Sequence, residues 1–351
     1  MSTTVTEKMT YLAALNRLKG IGPRSIFRIV EVFPTAQALH QASGSELEEK
    51  LGRTLARTVC QGLEQWPSIW NNVQESLESY VSKNVVPIPF TSDEYPPLLR
   101  SIPDPPVMLY AKGNLTLLQL PCAVAIVGTR EPTQQGIRVA RYLAQQWAHH
   151  RYVVISGLAK GIDTAAHEGT LDARGKTIAV LGTSLDKIYP AENKDLAERI
   201  IAAGGLLLSE ILFGQPSFKM AFVQRDRLQS GLALGVFPVQ TRRDGGTMHT
   251  VRFAKEQHRY VICPQPVAAE ERAAQYEGIW FLIREKRVPS FSIDQERTYE
   301  MIQDRFQALL ARLLVPQKTV EENRELPQAP DAQSKSTPLS LWDMLEQEVR
   351  G

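Results

Sequence analysis

The sequence predicts an α/β protein: a doubly wound, mostly parallel sheet of about six strands preceded by a small all-helical domain. Three observations lead there. Apolar residues recur at helical spacing, without strand-like alternation, through residues 10–84. Short Val/Ile-rich runs alternate with helical stretches from Ala123 onward, and a proline-rich stretch separates the two regimes. A chain of 351 residues, 43% hydrophobic and 22% charged, has the length and composition to bury cores of this kind.

Residues 1–84 make the helical domain. Leu12, Leu15 and Leu18, then Ile26, Ile29, Val30 and Phe33, mark the buried stripes of two successive helices. The break between them, Lys19-Gly20-Ile21-Gly22-Pro23, admits two readings. Its glycine spacing is that of a helix-hairpin-helix turn, where N–H groups at a helix start meet a phosphate. The same residues also make an ordinary tight turn with Pro23 at the first position of the next helix. Residues 85–122 form a connector whose prolines, Pro96-Pro97 and Pro103-Asp104-Pro105-Pro106 among them, forbid long helices and leave short strand and turns.

Residues 123–314 carry the sheet. Six runs supply its strands: Val124-Ala125-Ile126-Val127, Val153-Val154-Ile155, Ile178-Ala179-Val180-Leu181, Leu206-Leu207-Leu208, Leu234-Gly235-Val236-Phe237 and Tyr260-Val261-Ile262. All are apolar throughout instead of alternating, as strands covered by helices on both faces must be, so the domain is Rossmann-like. Residues 315–338, rich in Pro, Gln, Glu and Ser, read as a flexible linker. Residues 339–351 form a short amphipathic segment with Leu341, Trp342, Leu345 and Val349 on one face, which docks either on a partner or back on its own domain.

Composition removes several classes of function. No apolar run reaches the roughly 18 residues that span a bilayer, and the N-terminus has no apolar signal core, so a cytoplasmic protein without a membrane segment is expected. Cys60, Cys122 and Cys263 lie far apart with no C-x-x-C pair, which suggests neither a disulfide framework nor a thiolate zinc site, and the histidines show no metal-ligand spacing. The net charge of +2 conceals an asymmetry: residues 124–265 hold 18 Lys/Arg against 12 Asp/Glu, and the remainder 22 against 26. That suits a polyanion-binding middle domain, and equally a plain solvated surface.

Ligands of open α/β sheets bind beyond the carboxyl ends of the strands. After the first strand comes Gly128-Thr129-Arg130, with Gly136 opening the helix; after the second comes Ser156-Gly157-Leu158-Ala159-Lys160-Gly161. Each combines glycine, a hydroxyl and one cation, the ingredients of a phosphate cradle, although such turns also serve simply to join strand to helix. Arg225 and Arg227, with Gly245, Gly246 and Thr247 after the fifth strand, are expected at the same edge, lining one positive groove with Arg130 and Lys160. No G-x-x-x-x-G-K-[ST] is present, and the second strand ends in Ser156 where a dinucleotide site needs an acid, which argues against P-loop and NAD chemistry. Asp163 and His167 stand four apart on a helix. Beside Ser156 they could suggest hydrolysis, but no G-x-S-x-G elbow is present, and a helix-capping Asp163 with His167 packed behind it accounts for the same residues.

Val124 to Arg130, Ser156 to Asp163 with Ala166-His167, Tyr189-Pro190-Ala191-Glu192-Asn193 and Leu208-Ser209-Glu210 resemble, in order and spacing, the central domain of the DNA-processing (DprA/Smf) family. Tyr95-Pro96-Pro97-Leu98-Leu99 and Asp104-Pro105-Pro106 resemble its preceding segment, and residues 10–80 its sterile-alpha-motif-like helical domain. The resemblance implies a non-enzymatic protein, without cofactor or catalytic residue, that binds single-stranded DNA, forms a homodimer and helps load a RecA-type recombinase during natural transformation. It places Arg130, Ser156, Gly157, Lys160 and Gly161 on the DNA, with Arg225 and Arg227 beside them. The chain departs from the family pattern at Asp226, at Gln240 where an acid is usual, and at Gly245-Gly246-Thr247-Met248; it also leaves too little sequence after residue 315 for the winged-helix domain of many members.

Two rival readings keep the same cleft. One is a sensor of a small nucleotide signal in a defence or mobile-element system. The other is an enzyme cleaving nucleoside monophosphates, which needs a glutamate just after its glycine loop, whereas here no carboxylate follows Gly245-Gly246-Thr247 before Glu256.

Overall fold

In a computed structural model, which describes residues 4–215, 219–266, 270 and 272–314, six helices open the chain. They are α1 (Glu7–Leu15), α2 (Pro23–Val32), α3 (Ala36–Gln41), α4 (Gly44–Leu51), α5 (Arg53–Leu63) and α6 (Trp66–Ser82). Local chemistry sets their starts: the Thr6, Thr35 and Ser43 hydroxyls accept the N–H of Met9, Ala38 and Glu46, and Pro23 is the first residue of α2. The linker and terminal segment expected over residues 315–351 lie outside the described residues.

The main sheet has eight strands instead of about six, because the proline-rich connector contributes two. These are β1 (Val86–Pro89) and β2 (Met108–Gly113), separated by the short helix α7 (Pro97–Arg100). They pair antiparallel, and β2 continues antiparallel onto β6. Prolines at positions 87 and 89 fit because β1 is the edge strand. Phe90 donates its N–H inward to Val107, so by alternation both proline nitrogens face outward, where no ladder bond is needed.

The remaining strands follow the expected pattern: β3 (Ala123–Val127), β4 (Val153–Ser156), β5 (Thr177–Leu181), β6 (Leu206–Ser209), β7 (Gly235–Pro238) and β8 (Tyr260–Val261). Between them run α8 (Gln134–His149), α9 (Ile162–Asp172), α10 (Lys194–Ala202), α11 (Lys219–Gly231) and α12 (Thr247–Glu256). A two-stranded pair, β9 (Cys263–Pro264) with β10 (Ser290–Phe291), the short α13 (Glu277–Trp280) and α14 (Glu296–Leu314) follow within the described residues. Strand order is β1-β2-β6-β5-β4-β3-β7-β8, so the winding reverses between β3 and β7.

Period-two alternation divides the core between the faces. Val124 and Ile126 of β3 pack with α8, α9 and α14, whereas Ala123, Ala125 and Val127 pack with α11 and α12. The helical domain shares a continuous core with β2, β5, β6 and α10, in which Tyr80 donates its hydroxyl to Ile211 O (3.0 Å) and accepts the Leu185 N–H (3.2 Å).

His167 is fully buried on α9. Its Nε2 lies 2.5 Å from Gly157 O and Nδ1 lies 2.7 Å from the Thr177 hydroxyl. The carbonyl can only accept, so Nε2 carries the proton. Burial pushes the imidazole down to about 4, opposed by the Gly157 bond and assisted by the nearby Arg225 guanidinium. The unfolded chain takes up the His167 proton near pH 6.5 and the folded chain only near 4, so acidification through this window favours unfolding and the loss is complete below it. His167→Gln is expected to be less stable at pH 7.5 and to lose about 3 kcal/mol less than the natural protein between pH 7.5 and 4. Urea midpoints of both proteins across that range measure it, and parallel curves would show that His167 is not buried neutral.

Candidate functional site

The carboxyl edge of the sheet holds a cleft of about 310 Å³ over β3, β4 and β5. Arg130 from the β3–α8 turn, Lys160 from the β4–α9 turn, Tyr189-Pro190 from the loop after β5, and Phe222 and Arg225 from α11 line it. The reversal between β3 and β7, where open sheets commonly bind ligands, is closed. Gln240 fills it: its Oε1 accepts the Thr133 N–H (3.0 Å), its Nε2 donates to the Thr133 hydroxyl (2.9 Å), and Thr129 donates its N–H to Gln240 O (2.7 Å). The Thr133 hydroxyl also donates to Glu270.

The glycines expected to cradle phosphate also meet a packing demand. A Cβ on Gly128 would stand 2.5 Å from Ile162. One on Gly157 would stand 2.3 Å from Asp163 Oδ2 and 2.4 Å from Arg225 Nη1. A Cβ on Gly161, at φ +84°, would stand 2.5 Å from Thr129 O, and one on Gly136 would stand 2.2 Å from the Gln240 side chain. All four are therefore demanded by packing between turns and helices. Two backbone donors join the same contact: Ile162 N–H goes to Thr129 O (3.2 Å) and Ala159 N–H to Asp163 (3.2 Å). The Ser156 hydroxyl, wholly buried, donates to Ile126 O (2.7 Å). The Thr129 hydroxyl accepts the Glu131 N–H (3.2 Å).

The expected single groove needs correction at Arg227 and at the loop after β7. Arg227, only 4% exposed, holds Glu210 (2.5 Å) and Asp104 (3.2 Å) and so ties the connector to β6 and α11. Gly245, Gly246 and Thr247 sit across the closed reversal and do not line the cleft. Arg225 reaches it from beneath. Its Nη1 donates to Val180 O (2.5 Å), its Nε pairs with Asp226 (3.1 Å), and its charge opposes burial in the Asp163 carboxyl. Burial nevertheless holds Asp163 above the usual carboxylate range and pushes Asp226 up to about 6.

What remains at the surface is a cation pair beside aromatic rings. Arg130 is exposed, makes no ion pair among the described residues and lies 6.0 Å from the Phe222 ring. Lys160 pairs with Glu192 (2.5 Å), whose carboxyl the ammonium holds below its usual range. Tyr189, 51% exposed, tilts against Phe222 at 5.5 Å. Neither ring was among the sequence candidates. Tyr189 stands within a motif quoted for the family resemblance, and its aromatic side chain in a polar loop was the available signal. Phe222 had none, since α11 gives no cue to which of its turns meets the cleft. Together these groups can hold a phosphate between Arg130 and Lys160 and take an unstacked ring against Tyr189.

The sequence profile of the family described as DNA recombination-mediator protein A matches residues 87–297. Protein Smf of Synechocystis is 35% identical over 264 residues, 73% of this chain and 64% of its own. DNA processing protein DprA of Bacillus subtilis is 40% identical over 186 residues, 53% of this chain and 62% of its own. This chain thus spans less than two thirds of the length of these curated relatives. The X-ray structure of DNA processing protein A from Streptococcus pneumoniae superposes with a TM-score of 0.64 at 29% identity, covering 83% of this chain and 96% of that one. The Helicobacter pylori DNA processing protein A, whose structure concerns its single-stranded DNA binding mode, superposes at 0.54 and 29% identity over 65% of this chain and 96% of that one. The match across the connector and sheet, together with the relatives' identity, places the chain in the DNA recombination-mediator protein A family.

Proposed function

We propose that this chain binds single-stranded DNA, without catalysis, through the cleft of Arg130, Lys160 and Tyr189. The observation that carries the proposal is the exposed Tyr189 ring beside two cations. Cations alone attract any polyanion, but a ring that stacks on a base requires the base to be unpaired. The Helicobacter pylori relative's single-stranded DNA binding supports the same ligand. A non-catalytic role is supported by the locking of the nearby titratable groups: both His167 nitrogens are engaged, and Asp163 is buried against Ala159 N–H and Arg225. Delivery of the strand to a RecA-type recombinase by a homodimer extends the proposal, and the family's description as recombination mediators supports the first part. Light scattering of the purified protein tests the second.

A mononucleotide sensor is the second reading, favoured by a cleft volume near the lower end for small-ligand pockets. Fluorescence-anisotropy titration with labelled oligo-dT, its duplex and AMP as competitor separates the two. Tight, salt-sensitive single-strand binding unaffected by AMP supports the DNA reading, and displacement by AMP supports the sensor.

Arg130→Ala and Lys160→Ala are each expected to weaken oligo-dT binding about tenfold and to flatten the salt dependence by about 0.7 in log–log slope, one phosphate contact each. Unchanged affinity in both variants would remove the cleft from the DNA path. Tyr189→Ala is expected to cost about 1–3 kcal/mol of oligo-dT affinity with the salt slope intact, since stacking releases no counterion. Glu192→Gln frees Lys160 and is expected to tighten binding by up to about fivefold at low salt. Weaker binding by this variant would mean that Glu192 holds Lys160 in place for the strand instead of competing with it.

A further inference from the structure

We infer that the helical domain carries a second DNA contact, a cleft for the phosphodiester backbone between α2 and α5. The turn Gly20-Ile21-Gly22 opens α2 as a tight turn, with Gly20 at φ +81° and Pro23 at the first helical position. The structure adds a counterpart that the sequence did not reveal: α5 also begins at a glycine, Gly52, at φ +80°. The Gly20 turn packs against the body of α5, where a Cβ on Gly20 would stand 3.6 Å from the Thr58 methyl, and Gly20 and Gly52 line the same cleft. Between them lies an open cleft of about 560 Å³.

The lining gives the cleft its chemistry. Arg24 and Arg28, four apart on one face of α2, and Arg53 at the start of α5 contribute three guanidinium groups, and Ser25, Thr54 and Thr58 contribute hydroxyls. No lining residue is acidic, and among the described residues none of the three arginines is in an ion pair. Arg28 is held by one bond to Lys50 O (3.0 Å), which aims it without neutralising it. Other surface arginines do meet carboxylates, as Arg141 does with Glu168 and Asp172 and Arg243 with Glu285, whereas these three share one cleft without one. Three like charges around one cleft repel one another, and an anion is the partner that relieves them.

The anion is a phosphodiester backbone, not a base. The cleft over the sheet offers Tyr189 to a ring, whereas this one has no aromatic lining and reads only charge and hydroxyl geometry. Such a surface accepts paired and unpaired strands alike, so its ligand is either duplex DNA or the part of a long single strand beyond the sheet cleft. The inference rests on the proposal that this chain binds DNA, and the experiment separates the two.

The full chain and its Arg24→Ala/Arg53→Ala variant are titrated with a labelled oligo-dT of about six nucleotides, with a long oligo-dT and with a duplex, at two salt concentrations. Arg28 is left in place because of its bond to Lys50 O. The variant is expected to bind the short strand as the natural protein does, and to bind the duplex or the long strand at least tenfold more weakly with a salt slope reduced by about 1.5 to 2. A lysine pair at the same positions is expected to restore most of the loss. Equal binding of both long ligands by variant and natural protein overturns the inference, as does a loss that extends to the six-nucleotide strand. Arg130→Ala provides the separation: if it spares the short strand while Arg24→Ala/Arg53→Ala still weakens the duplex, the sheet-cleft proposal fails and the second contact stands.

Discussion

Two neighbouring turns at the carboxyl edge of the sheet approach so closely that neither has room for side chains at its glycines. Gly161 lies against Thr129 O, Ile162 donates to the same carbonyl, and Gly157 is wedged between Asp163 and Arg225. This contact fixes the separation of Arg130 from Lys160, because each cation is carried by one of the turns. It also explains why α9 begins where it does and why His167 can reach back to Gly157 O. A strained or loosened turn would move the two charges independently, and a pair of cations gains its phosphate affinity from being held at one spacing.

Buried charge supports the contact from below. Arg225 stands beneath the cleft, and Arg227 ties Glu210 to Asp104 of the connector. Arg259, without a carboxylate partner among the described residues, donates to Leu98 O, Ser101 Oγ and Gly231 O and so fastens the connector to α11. Burial holds its guanidinium down to about 10. Such groups are costly to bury and are tolerated where acceptors are directed at most of their donors, although Arg227 Nη1 and Arg259 Nε are buried without one. Their effect is rigidity: the wall of the cleft supplied by α11 cannot shift without breaking several charged bonds at once.

The sequence made the parallel strands and most helices legible because a period of 3.6, or an unbroken apolar run, survives in one dimension. Edge strands did not survive so well. The connector read as a short strand with turns but not as two strands of the main sheet, where Pro87 and Pro89 fit through their outward placement. The basic excess of residues 124–265 was legible as a number but not as a location, since it counts Arg225, Arg227 and Arg259, which lie inside the fold. The glycine turns lie at the sheet edge as expected, and the structure adds a reason for them that spacing did not reveal: their missing side chains permit contacts between turns. Tyr189 and Phe222 come together across 33 positions of chain, a proximity that no local spacing encodes.

The outward-facing prolines of β1 have a further effect on how this molecule keeps company. An uncovered sheet edge is a template on which another extended chain can zip, and proteins that act at high local concentration along a common scaffold are especially exposed to that hazard. With proline at both of its outward-facing positions, β1 offers a stranger only a broken ladder. Molecules crowded side by side are thereby protected from runaway fibre growth along this edge, and association between them is left to side-chain surfaces that can be reversed.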